Sequence, residues 1–310
     1  MRASGVAAAV DCGTNSTRLL IVDADGEVRV RRMRITRLGK GVDATHQLDP
    51  EAMARTVAVL SEYRSLMDAE GVVRARLVAT SAVRDATNGD AFLRAAADVI
   101  GTEAELLSGD EEGRLSYAGA TAGLAPGGGD SVVVDIGGGS TELVMERDSD
   151  LRTVSLDLGC VRLSERYLRS DPPRPTELAE AVGEIGAELD RAVLAIPGLE
   201  ALRPQSRLIG LAGTVSTLAA LELGLVEYSR DQVHHAILTR DTVIRWTDTL
   251  ATETIAARAV RAGMLDGRQD VIVGGALVLR QIMVRFDVAE CLVSESDILD
   301  GMVASIGDGA

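Results

Sequence analysis

The sequence predicts an α/β protein of two domains. Strand-like apolar runs alternate with helix-like runs along the whole chain, and this alternation is typical of α/β folds. At 310 residues the chain exceeds the usual size of one domain, so two domains of roughly 100 to 200 residues each are expected. A segment rich in glycine and proline, at 123–130, separates two halves in which the same order of elements starts again. We therefore predict one domain at 1–125 and a second at 126–296.

The first half of the chain predicts three strands and then an alternation of helices and strands. The helix at 49–71 has the clearest boundaries, because Asp49 suits the N-cap, Pro50 the first turn and Gly71 the exit. The other predicted elements are strands at 6–13, 17–23, 27–35, 74–83 and 104–108, and helices at 90–100 and 110–124.

The second half repeats this order of elements. Its predicted elements are strands at 131–139, 140–148 and 151–159, helices from about residues 163 and 176, a strand, tight glycine turn and helix at 206–223, a helix at 270–286, a strand at 290–296 and a helix at 297–306. The repeat is clearest where a strand ends in an aspartate that glycine and hydroxyl residues follow. This happens at Asp11 and again at Asp135.

Composition predicts a cytoplasmic protein and excludes several classes of partner. A formal net charge of −15 argues against binding of nucleic acid or of an anionic membrane, since both are polyanions. The sequence begins with too few apolar residues for a signal peptide, and no apolar run approaches the length of a membrane span. Cys12, Cys160 and Cys291 form no CxxC motif, so neither a zinc site nor a disulfide framework is predicted.

Local charge departs from this acidic balance in one basic run. The run contains Arg29, Arg31, Arg32, Arg34, Arg37 and Lys40. We interpret it as the solvated face of alternating strands, although a bound ligand feels such nearby charges more than the distant total, because the Debye length is about 8 Å at physiological salt. His46, His234 and His235 lack the spacing of metal ligands, and surface or loop positions are expected for them.

The stretch "DIGGGST" follows an apolar strand in a pattern typical of phosphate-binding loops. Glycine at a strand end lets consecutive amide N–H groups point into one concavity, because only glycine enters the required φ/ψ regions at low cost. Asp135, at the end of the strand, is suited to hold Mg²⁺ directly or through water. A plain hairpin with a glycine turn is the alternative for this segment alone. The predicted phosphate donors are Gly137, Gly138, Gly139, Ser140 and Thr141.

A second stretch, "DCGTNSTR", repeats this arrangement after Asp11 and adds Arg18. Two such loops, facing one another across a cleft, would grip opposite sides of a phosphate chain. Neither loop matches GxxxxGK[ST], so a Walker P-loop is excluded. The donors predicted here are Gly13, Thr14, Asn15 and Ser16.

Eight segments, in order between residues 10 and 301, resemble the exopolyphosphatase and guanosine pentaphosphate phosphohydrolase family, within the superfamily of actin, sugar kinases and heat-shock chaperone ATPases. They are "VDCGTNSTRLLIVD", "VATSAVRDATN", "ELLSGDEEGRLSYAGA", "VVVDIGGGSTELV", "DLGCVRLSERY", "GLAGTVSTLAAL", "GRQDVIVGGALVL" and "SESDILDG". The resemblance implies two ribonuclease-H-like domains around a hinged cleft. It also implies that a C-terminal helix at 297–310 packs back on the first domain.

The same resemblance implies a general base and its neighbours. In "SGDEEGR", Glu112 stands where the family places the base, and such a group is typically worth about 10² to 10⁴ in rate. From the residues alone, Glu111 and Glu112 would be a charged first helical turn that complements the helix dipole. Arg84 and Arg18 fall at phosphate-contacting positions of the family, where guanidinium groups match phosphate oxygens.

Three acidic residues and a third arginine complete the implied site. Asp11, Asp135 and Glu142 are expected to organise Mg²⁺ or Mn²⁺, with the positioning of water as the alternative for Glu142. Arg268 falls at another phosphate-contacting position, and the start of a helix is the alternative interpretation.

The resemblance implies a hydrolase that removes the terminal phosphate of inorganic polyphosphate and acts as a homodimer. Removal of the 5′ phosphate of guanosine pentaphosphate is the alternative, because the same parts serve both substrates. An ATP-dependent kinase of the superfamily, or a sensor without turnover, is less favoured. Long family members carry a further helical domain with histidine and aspartate metal motifs. This sequence contains no such motifs, so short polyphosphate chains are the expected substrates.

Overall fold

A computed structural model describes residues 5–125 and 128–307 of the chain, which form two compact units. Among these residues, unit 1 comprises everything up to residue 119 together with the segment from residue 297 onward, and unit 2 comprises 120–296. Pro126 and Gly127, in the segment predicted as the domain boundary, lie outside the described residues.

Unit 1 is built on a five-stranded mixed sheet. Its elements in the first part of the chain are β1 (Ala7–Cys12), β2 (Ser16–Val22), β3 (Val28–Ile35), α1 (Val42–Thr45), α2 (Pro50–Ala69), β4 (Arg74–Ala79), α3 (Ser81–Arg84), α4 (Gly89–Ile100), β5 (Ala104–Leu106) and α5 (Gly109–Thr121), which continues into unit 2. The strand order is β3-β2-β1-β4-β5. Strands β1, β4 and β5 run parallel, and β2 runs antiparallel to β1 and β3.

Helices α2 and α4 cover one face of this sheet. The N-terminus of α2 is as predicted, with Pro50 in its first turn and the Asp49 carboxylate accepting a hydrogen bond from Ala52 N at 2.9 Å. Leu60 and Tyr63 of α2 are buried in the core below it, with β1 and β2. The Tyr63 hydroxyl donates to Thr17 O at 2.9 Å, which satisfies the one polar atom of this buried ring.

Unit 2 is built on a six-stranded mixed sheet in the order β10-β11-β9-β6-β7-β8. Its elements are β6 (Ser131–Ile136), β7 (Thr141–Arg147), β8 (Asp150–Leu156), α6 (Cys160–Arg166), α7 (Pro175–Ala195), β9 (Arg207–Leu211), α8 (Ala212–Glu222), α9 (Arg230–Val233), β10 (Ile237–Thr239), α10 (Arg240–Ala251), α11 (Ile255–Ala259), α12 (Ile272–Arg285) and β11 (Glu290–Val293). Strands β6, β9 and β11 run parallel, whereas β7, β8 and β10 are antiparallel to their neighbours.

The last helix, α13 (Ile298–Gly307), belongs to unit 1. Its buried side chains Ile298, Leu299 and Met302 pack against Ala7 and Leu20, on the face of the unit 1 sheet opposite to α2. Unit 1 therefore takes its second covering layer from the far end of the chain.

The two sheets share one topology. The strand order β3-β2-β1-β4-β5 of unit 1 corresponds to β8-β7-β6-β9-β11 in unit 2. Unit 2 adds only the short antiparallel strand β10 at its edge. The α/β prediction and the repeated order of elements are confirmed.

The structure differs from the prediction in several stretches, among them the end of β4 and the helix α10. The strand predicted at 74–83 ends at Ala79, where its pairing with β1 ends, and the helical turn α3 follows. Arg84 therefore lies at the end of a short helix. The helix α10 was not predicted, although Thr239 caps it by accepting from Thr242 N at 3.1 Å, and its buried residues Val243, Thr247 and Leu250 follow helical spacing.

No helix in residues 5–125 or 128–307 is both long enough and apolar enough to cross a membrane.

Candidate active site

Each unit carries a hairpin whose turn is the predicted glycine and hydroxyl loop. In unit 1 the turn between β1 and β2 is closed by Gly13 N donating to Ser16 O at 3.0 Å. In unit 2 the turn between β6 and β7 is closed by Gly137 N donating to Ser140 O, also at 3.0 Å. The two turns have the same length and the same closing bond, so their residues correspond one to one.

The middle of each turn offers free amide donors. Among the described residues, no group accepts a hydrogen bond from the amides of Thr14 and Asn15, or from those of Gly138 and Gly139. The side-chain nitrogen of Asn15 is likewise buried without an acceptor in the part of the chain that the structure describes. Buried donors without acceptors are costly, and phosphate oxygens would satisfy them.

The glycines of these turns act differently from the prediction. None of Gly13, Gly137, Gly138 and Gly139 has a positive φ, so left-handed conformations do not explain them. Close approach of neighbouring backbone does: a Cβ at Gly137 would lie 3.0 Å from Ser140 O, and a Cβ at Gly159 would overlap the Gly138 carbonyl.

Asp11 and Arg18 form one rigid pair at the end of the central strand of unit 1. They lie directly opposite each other in the β1–β2 register. Arg18 donates to Asp11 Oδ2 from Nη2 at 2.6 Å and from Nε at 2.9 Å. Its Nη1 donates to Asp297 Oδ2 at 2.7 Å, so two carboxylates fix the orientation of the guanidinium.

The environment of Asp11 is set by burial. Its side chain is 1% exposed, and burial raises the pKa of this carboxyl, although Arg18 acts in the opposite direction. Its second oxygen, Oδ1, has no hydrogen-bond partner within the described residues. Asp297 was not predicted as a site residue, although the segment "SESDILDG" that contains it was quoted for the resemblance.

Arg84 and Glu112 lie together at the same edge of the unit 1 sheet. The segments that carry them follow β4 and β5, whose carboxyl ends point the same way as that of β1. Arg84 Nη1 donates to Leu107 O at 2.8 Å and lies 3.3 Å from Glu112 Oε2. The two predicted residues are thus in direct contact, and the carboxylate is 9% exposed.

The neighbouring carboxylates Glu111 and Glu112 have different roles in the fold. Glu111 Oε2 accepts from Ser108 N at 2.9 Å and from Ser108 Oγ at 2.8 Å, which caps the start of α5. These hydrogen bonds lower the pKa of the Glu111 carboxyl. The interpretation as a charged first turn therefore applies to Glu111, which is exposed, whereas Glu112 is buried beside an arginine.

In unit 2, a glutamate stands where unit 1 has its arginine. Glu142 lies directly opposite Asp135 in the β6–β7 register, so both side chains project from the same face of the sheet. Asp135 is 7% exposed and Glu142 1% exposed. Ser155 Oγ, from the neighbouring strand β8, donates to Glu142 Oε1 at 2.8 Å. Sequence reasoning missed Ser155, because its role depends on the pairing of β7 with β8.

Helix α6 holds the glycine turn of unit 2. Cys160 N donates to Gly137 O at 3.0 Å, and Val161 N donates to Gly138 O at 2.9 Å. Arg162 Nε donates to Gly139 O at 2.7 Å. With their carbonyl oxygens held, the turn's amides face away from α6. Burial raises the pKa of the Cys160 thiol.

Arg268 lies against the turn that follows β9. A Cβ at Gly213 would overlap the Arg268 guanidinium, which shows how closely the side chain approaches that backbone. The turn lies beside Asp135, because Leu211 pairs with Asp135 in the β6–β9 register. Arg268 is 7% exposed and is also close enough to Cys160 to act on its thiol. Unit 2 thus brings its predicted residues to one sheet edge.

A second buried arginine supports the segment that carries Arg268. Arg258 is 2% exposed and donates from Nη1 to Gln269 O at 2.8 Å and from Nε to Glu253 O at 3.2 Å. Ala212, at the start of α8, has a φ of 67° although it is not glycine. Neither feature was predicted from the sequence.

Thr141 is the predicted phosphate donor whose geometry does not fit. Its side chain is fully buried, and its hydroxyl donates to Leu158 O at 2.6 Å, so it has no proton left for a phosphate oxygen. We assign it instead to the support of the turn. Ser140, which closes the same turn, is also buried, at 3% exposed.

The residues fit Mg²⁺ in unit 2 better than in unit 1. No group of three or more His, Cys, Asp or Glu side chains suited to a metal occurs within the described ranges, but Mg²⁺ needs only one or two carboxylates beside water and phosphate oxygens. The opposed carboxylates Asp135 and Glu142 provide that. Asp11 was predicted as a metal ligand, but its Oδ2 is bound by Arg18, whose positive charge opposes a cation there.

Comparison with models of protein families identifies the family of this chain. The model of the Ppx/GppA phosphatase family matches residues 21–308. The chain belongs to this family. Within or near it, exopolyphosphatase 2 of Mycobacterium tuberculosis (strain H37Rv) is 42% identical over 315 residues, which cover 96% of this chain and 98% of the relative.

Solved structures of the Ppx/GppA phosphatase family share the fold. A crystal structure described as an exopolyphosphatase-like protein has a TM-score of 0.91 and 33% identity, covering 98% of this chain and 99% of the other. The Ppx/GppA family member of Aquifex aeolicus has a TM-score of 0.80 and 32% identity, with 97% of both chains covered. The predicted family and fold class are confirmed, and the chain is a phosphatase-family hydrolase.

Proposed function

We propose that this protein is an exopolyphosphatase, which hydrolyses the terminal phosphoanhydride bond of inorganic polyphosphate. The observation that carries the proposal is the 42% identity, over nearly the whole of both chains, to a relative named exopolyphosphatase 2. The free amides of both turns and the buried Arg84–Glu112 pair are the chemical parts that such a reaction needs.

Binding of phosphate falls to the amides and the arginines. In unit 1 the amides of Thr14 and Asn15 and the Asn15 side chain donate to phosphate oxygens, and Arg18 is held rigid beside them by two carboxylates. In unit 2 the amides of Gly138 and Gly139 and the guanidinium of Arg268 do the same. All of these donors are in place before substrate binds, so little reorganisation is needed.

Glu112 acts as the general base. Its carboxylate accepts a proton from water, whose oxygen forms a bond to the terminal phosphorus. The bond from that phosphorus to the bridging oxygen breaks, and the shortened chain leaves with the electron pair. Arg84 Nη1, 3.3 Å from Glu112 Oε2, orients the carboxylate.

Asp135 and Glu142 would hold Mg²⁺ or Mn²⁺, and Ser155 orients Glu142 for this task. When bound, the ion would neutralise charge on the phosphate oxygens. Asp11 stays in the proposal as the residue that orients Arg18. A cytoplasmic location remains a prediction from composition, and a homodimer remains a prediction of the resemblance.

The test is phosphate release across a series of substrates. Tripolyphosphate and long-chain polyphosphate are compared with guanosine pentaphosphate and ATP, each with Mg²⁺. We expect the highest kcat/KM with polyphosphate, and the predicted preference for short chains is read from the same series. A higher kcat/KM with guanosine pentaphosphate would replace the proposal by the alternative activity. Release from none of these substrates would contradict it.

A further inference from the structure

The basic run of residues 29–40 is divided by the structure into a paired part and an unpaired part. On strand β3, Arg31 binds Asp300 at 2.6 Å. Arg29 and Arg34 each lie within 4.0 Å of an acidic side chain. These arginines therefore belong to the solvated strand face that the sequence predicted. The part of the run that follows the strand is different.

Lys40 stands out at the end of this run. It is the only lysine in the sequence, where all other basic side chains except histidine are arginine. Its side chain is exposed and has no hydrogen-bond or ion-pair partner among residues 5–125 and 128–307. In a chain with a formal net charge of −15, this ammonium group is therefore a cation without an ion-pair partner among the described residues.

The segment that carries Lys40 is fastened to the phosphate turn of unit 1. Gly39 N donates to Thr14 O at 2.8 Å, and Arg37 N donates to Asn15 O at 2.9 Å. Thr36 N donates to the same Asn15 oxygen at 3.1 Å. The carbonyls of the turn are thereby held by residues 36–39, which leaves the turn's amides to point elsewhere.

Packing at Gly39 fixes the distance between the two segments. A Cβ at this residue would overlap the Thr14 side chain and lie 2.8 Å from Ala82 Cβ. The backbone on which Lys40 begins is therefore in contact with Thr14, one of the residues whose amide is free to bind phosphate. The flexible stem of four methylene groups allows the Lys40 ammonium many positions around this backbone.

We propose that Lys40 is an accessory binding site for a phosphate group of polyphosphate, beyond the groups that the turn itself holds. This inference rests on the proposed function. A flexible, hydrated point charge suits a repeating polyanion, because it meets a phosphate in many rotations of the chain. Since the side chain is exposed, its contribution is modest and falls as salt rises.

The first experiment compares Lys40→Gln with Arg32→Gln. Arg32, in the middle of β3, is a matched control, because it is an exposed cation of the same run. Its side chain makes a single hydrogen bond among the described residues, to the Arg31 carbonyl. At low ionic strength the KM of Lys40→Gln for long-chain polyphosphate should rise about two- to fivefold, with a smaller change in kcat. The rise should shrink at high salt, and Lys40→Arg should restore the KM of the wild type. Equal KM values for Lys40→Gln and Arg32→Gln would overturn the proposal.

The second experiment uses the fact that the chain has one lysine. Reductive methylation of the Lys40 amine in the wild-type protein is followed by mass spectrometry, with the N-terminal amine as internal reference. Long-chain polyphosphate should slow methylation of Lys40 more than chloride at equal ionic strength. Equal rates in polyphosphate and chloride would overturn the site. Protection of Lys40 without phosphate release would support the Lys40 site and contradict the proposed function. Phosphate release with neither protection of Lys40 nor a KM difference would support the proposed function and contradict the Lys40 site.

Discussion

The two hairpin turns share a backbone and differ in charge. In unit 1, Asp11 at the end of β1 has Arg18 opposite it on β2. In unit 2, Asp135 at the end of β6 has Glu142 opposite it on β7. The closing hydrogen bonds of both turns are 3.0 Å long, and two free amides follow the first glycine in each. The two turns therefore differ chemically at one position, the residue opposite the aspartate.

This difference assigns the two turns to different tasks. An aspartate that is neutralised by a bidentate arginine is a poor ligand for a cation, and the fixed guanidinium is a good partner for phosphate. Two buried carboxylates on one sheet face are suited to a divalent cation. Glu112, the proposed general base, also belongs to unit 1. Proton transfer is thus expected from unit 1 and binding of the metal from unit 2, while both turns offer amides to phosphate.

The largest effect is expected at the base. Glu112→Gln keeps the shape of the side chain and removes its ability to accept a proton, so kcat for polyphosphate should fall by about 10² to 10⁴. Glu111→Gln is the matched control, because glutamine still accepts the capping hydrogen bonds of Ser108. Its kcat should stay close to that of the wild type. Equal losses in both variants would show that the first turn of α5, and not a base, is responsible.

The next effect tests the Asp11–Arg18 pair of unit 1. Arg18→Met leaves the buried Asp11 carboxylate without its main cation, which should cost about 3 kcal/mol of local stability. Amide hydrogen exchange in β1 and β2 should then quicken roughly a hundredfold. Exchange in β6 and β7 serves as the internal control and should not change.

A second substitution separates charge from packing. Adding Asp11→Asn to Arg18→Met removes the unpaired charge, so exchange in β1 and β2 should slow again. If the double variant exchanges as fast as Arg18→Met alone, the pair contributes through packing and the electrostatic contrast between the turns fails.

The metal assignment is tested by the Mg²⁺ dependence of phosphate release. Asp135→Asn and Glu142→Gln should each raise the Mg²⁺ concentration for half-maximal activity by about 10- to 100-fold. Asp11→Asn should lower activity and leave that concentration unchanged, because Arg18 occupies its carboxylate. A shifted Mg²⁺ requirement in Asp11→Asn alone would reverse the assignment of the two turns.

The smallest effect concerns a buried carboxylate of unit 2 outside the turn. Arg147 binds Asp130 at 2.6 and 2.8 Å and holds its pKa at about 2, with help from Arg203 N. Because the folded pKa lies below the ordinary value of about 3.9, this pair stabilises the folded state above that pH. The contribution, about 2 kcal/mol, is lost as the pH falls toward 2.

Asp130→Asn should therefore unfold more easily than the wild type between pH 5 and 7, and the difference should narrow below about pH 4. Urea unfolding followed by the fluorescence of Trp246, the only tryptophan in the sequence and part of unit 2, measures this. For Asp11 the sign is opposite, because burial raises its pKa. If the difference in unfolding free energy between Asp130→Asn and the wild type were as large at pH 3 as at pH 5 to 7, the low pKa assigned to Asp130 would be contradicted.

Much of the fold and of the site was predictable, and the exceptions have physical causes. Alternating apolar runs and the cap at Asp49 place α2 and the central strands. Residues 80–83 were predicted to continue β4, because they extend its apolar pattern, but the partner strand ends at Cys12 and cannot support four more residues. The expectation that the turn glycines adopt φ/ψ regions closed to other residues is not met by a positive φ at any of them, and close approach of the Ser140 carbonyl limits Gly137 instead.

By itself the sequence determined the element types, the repeat of two aspartate-led turns and the family, because local patterning and residue type carry this information. Only the tertiary structure decided which side chain stands opposite each aspartate, that Thr141 supports its turn, that Asp297 completes the arginine site, and that Lys40 begins beside Thr14. These facts depend on strand register and on contacts between residues far apart in the chain. A change of strand register changes the partners of every residue in the strand at once, so the identity of a single residue does not reveal the register.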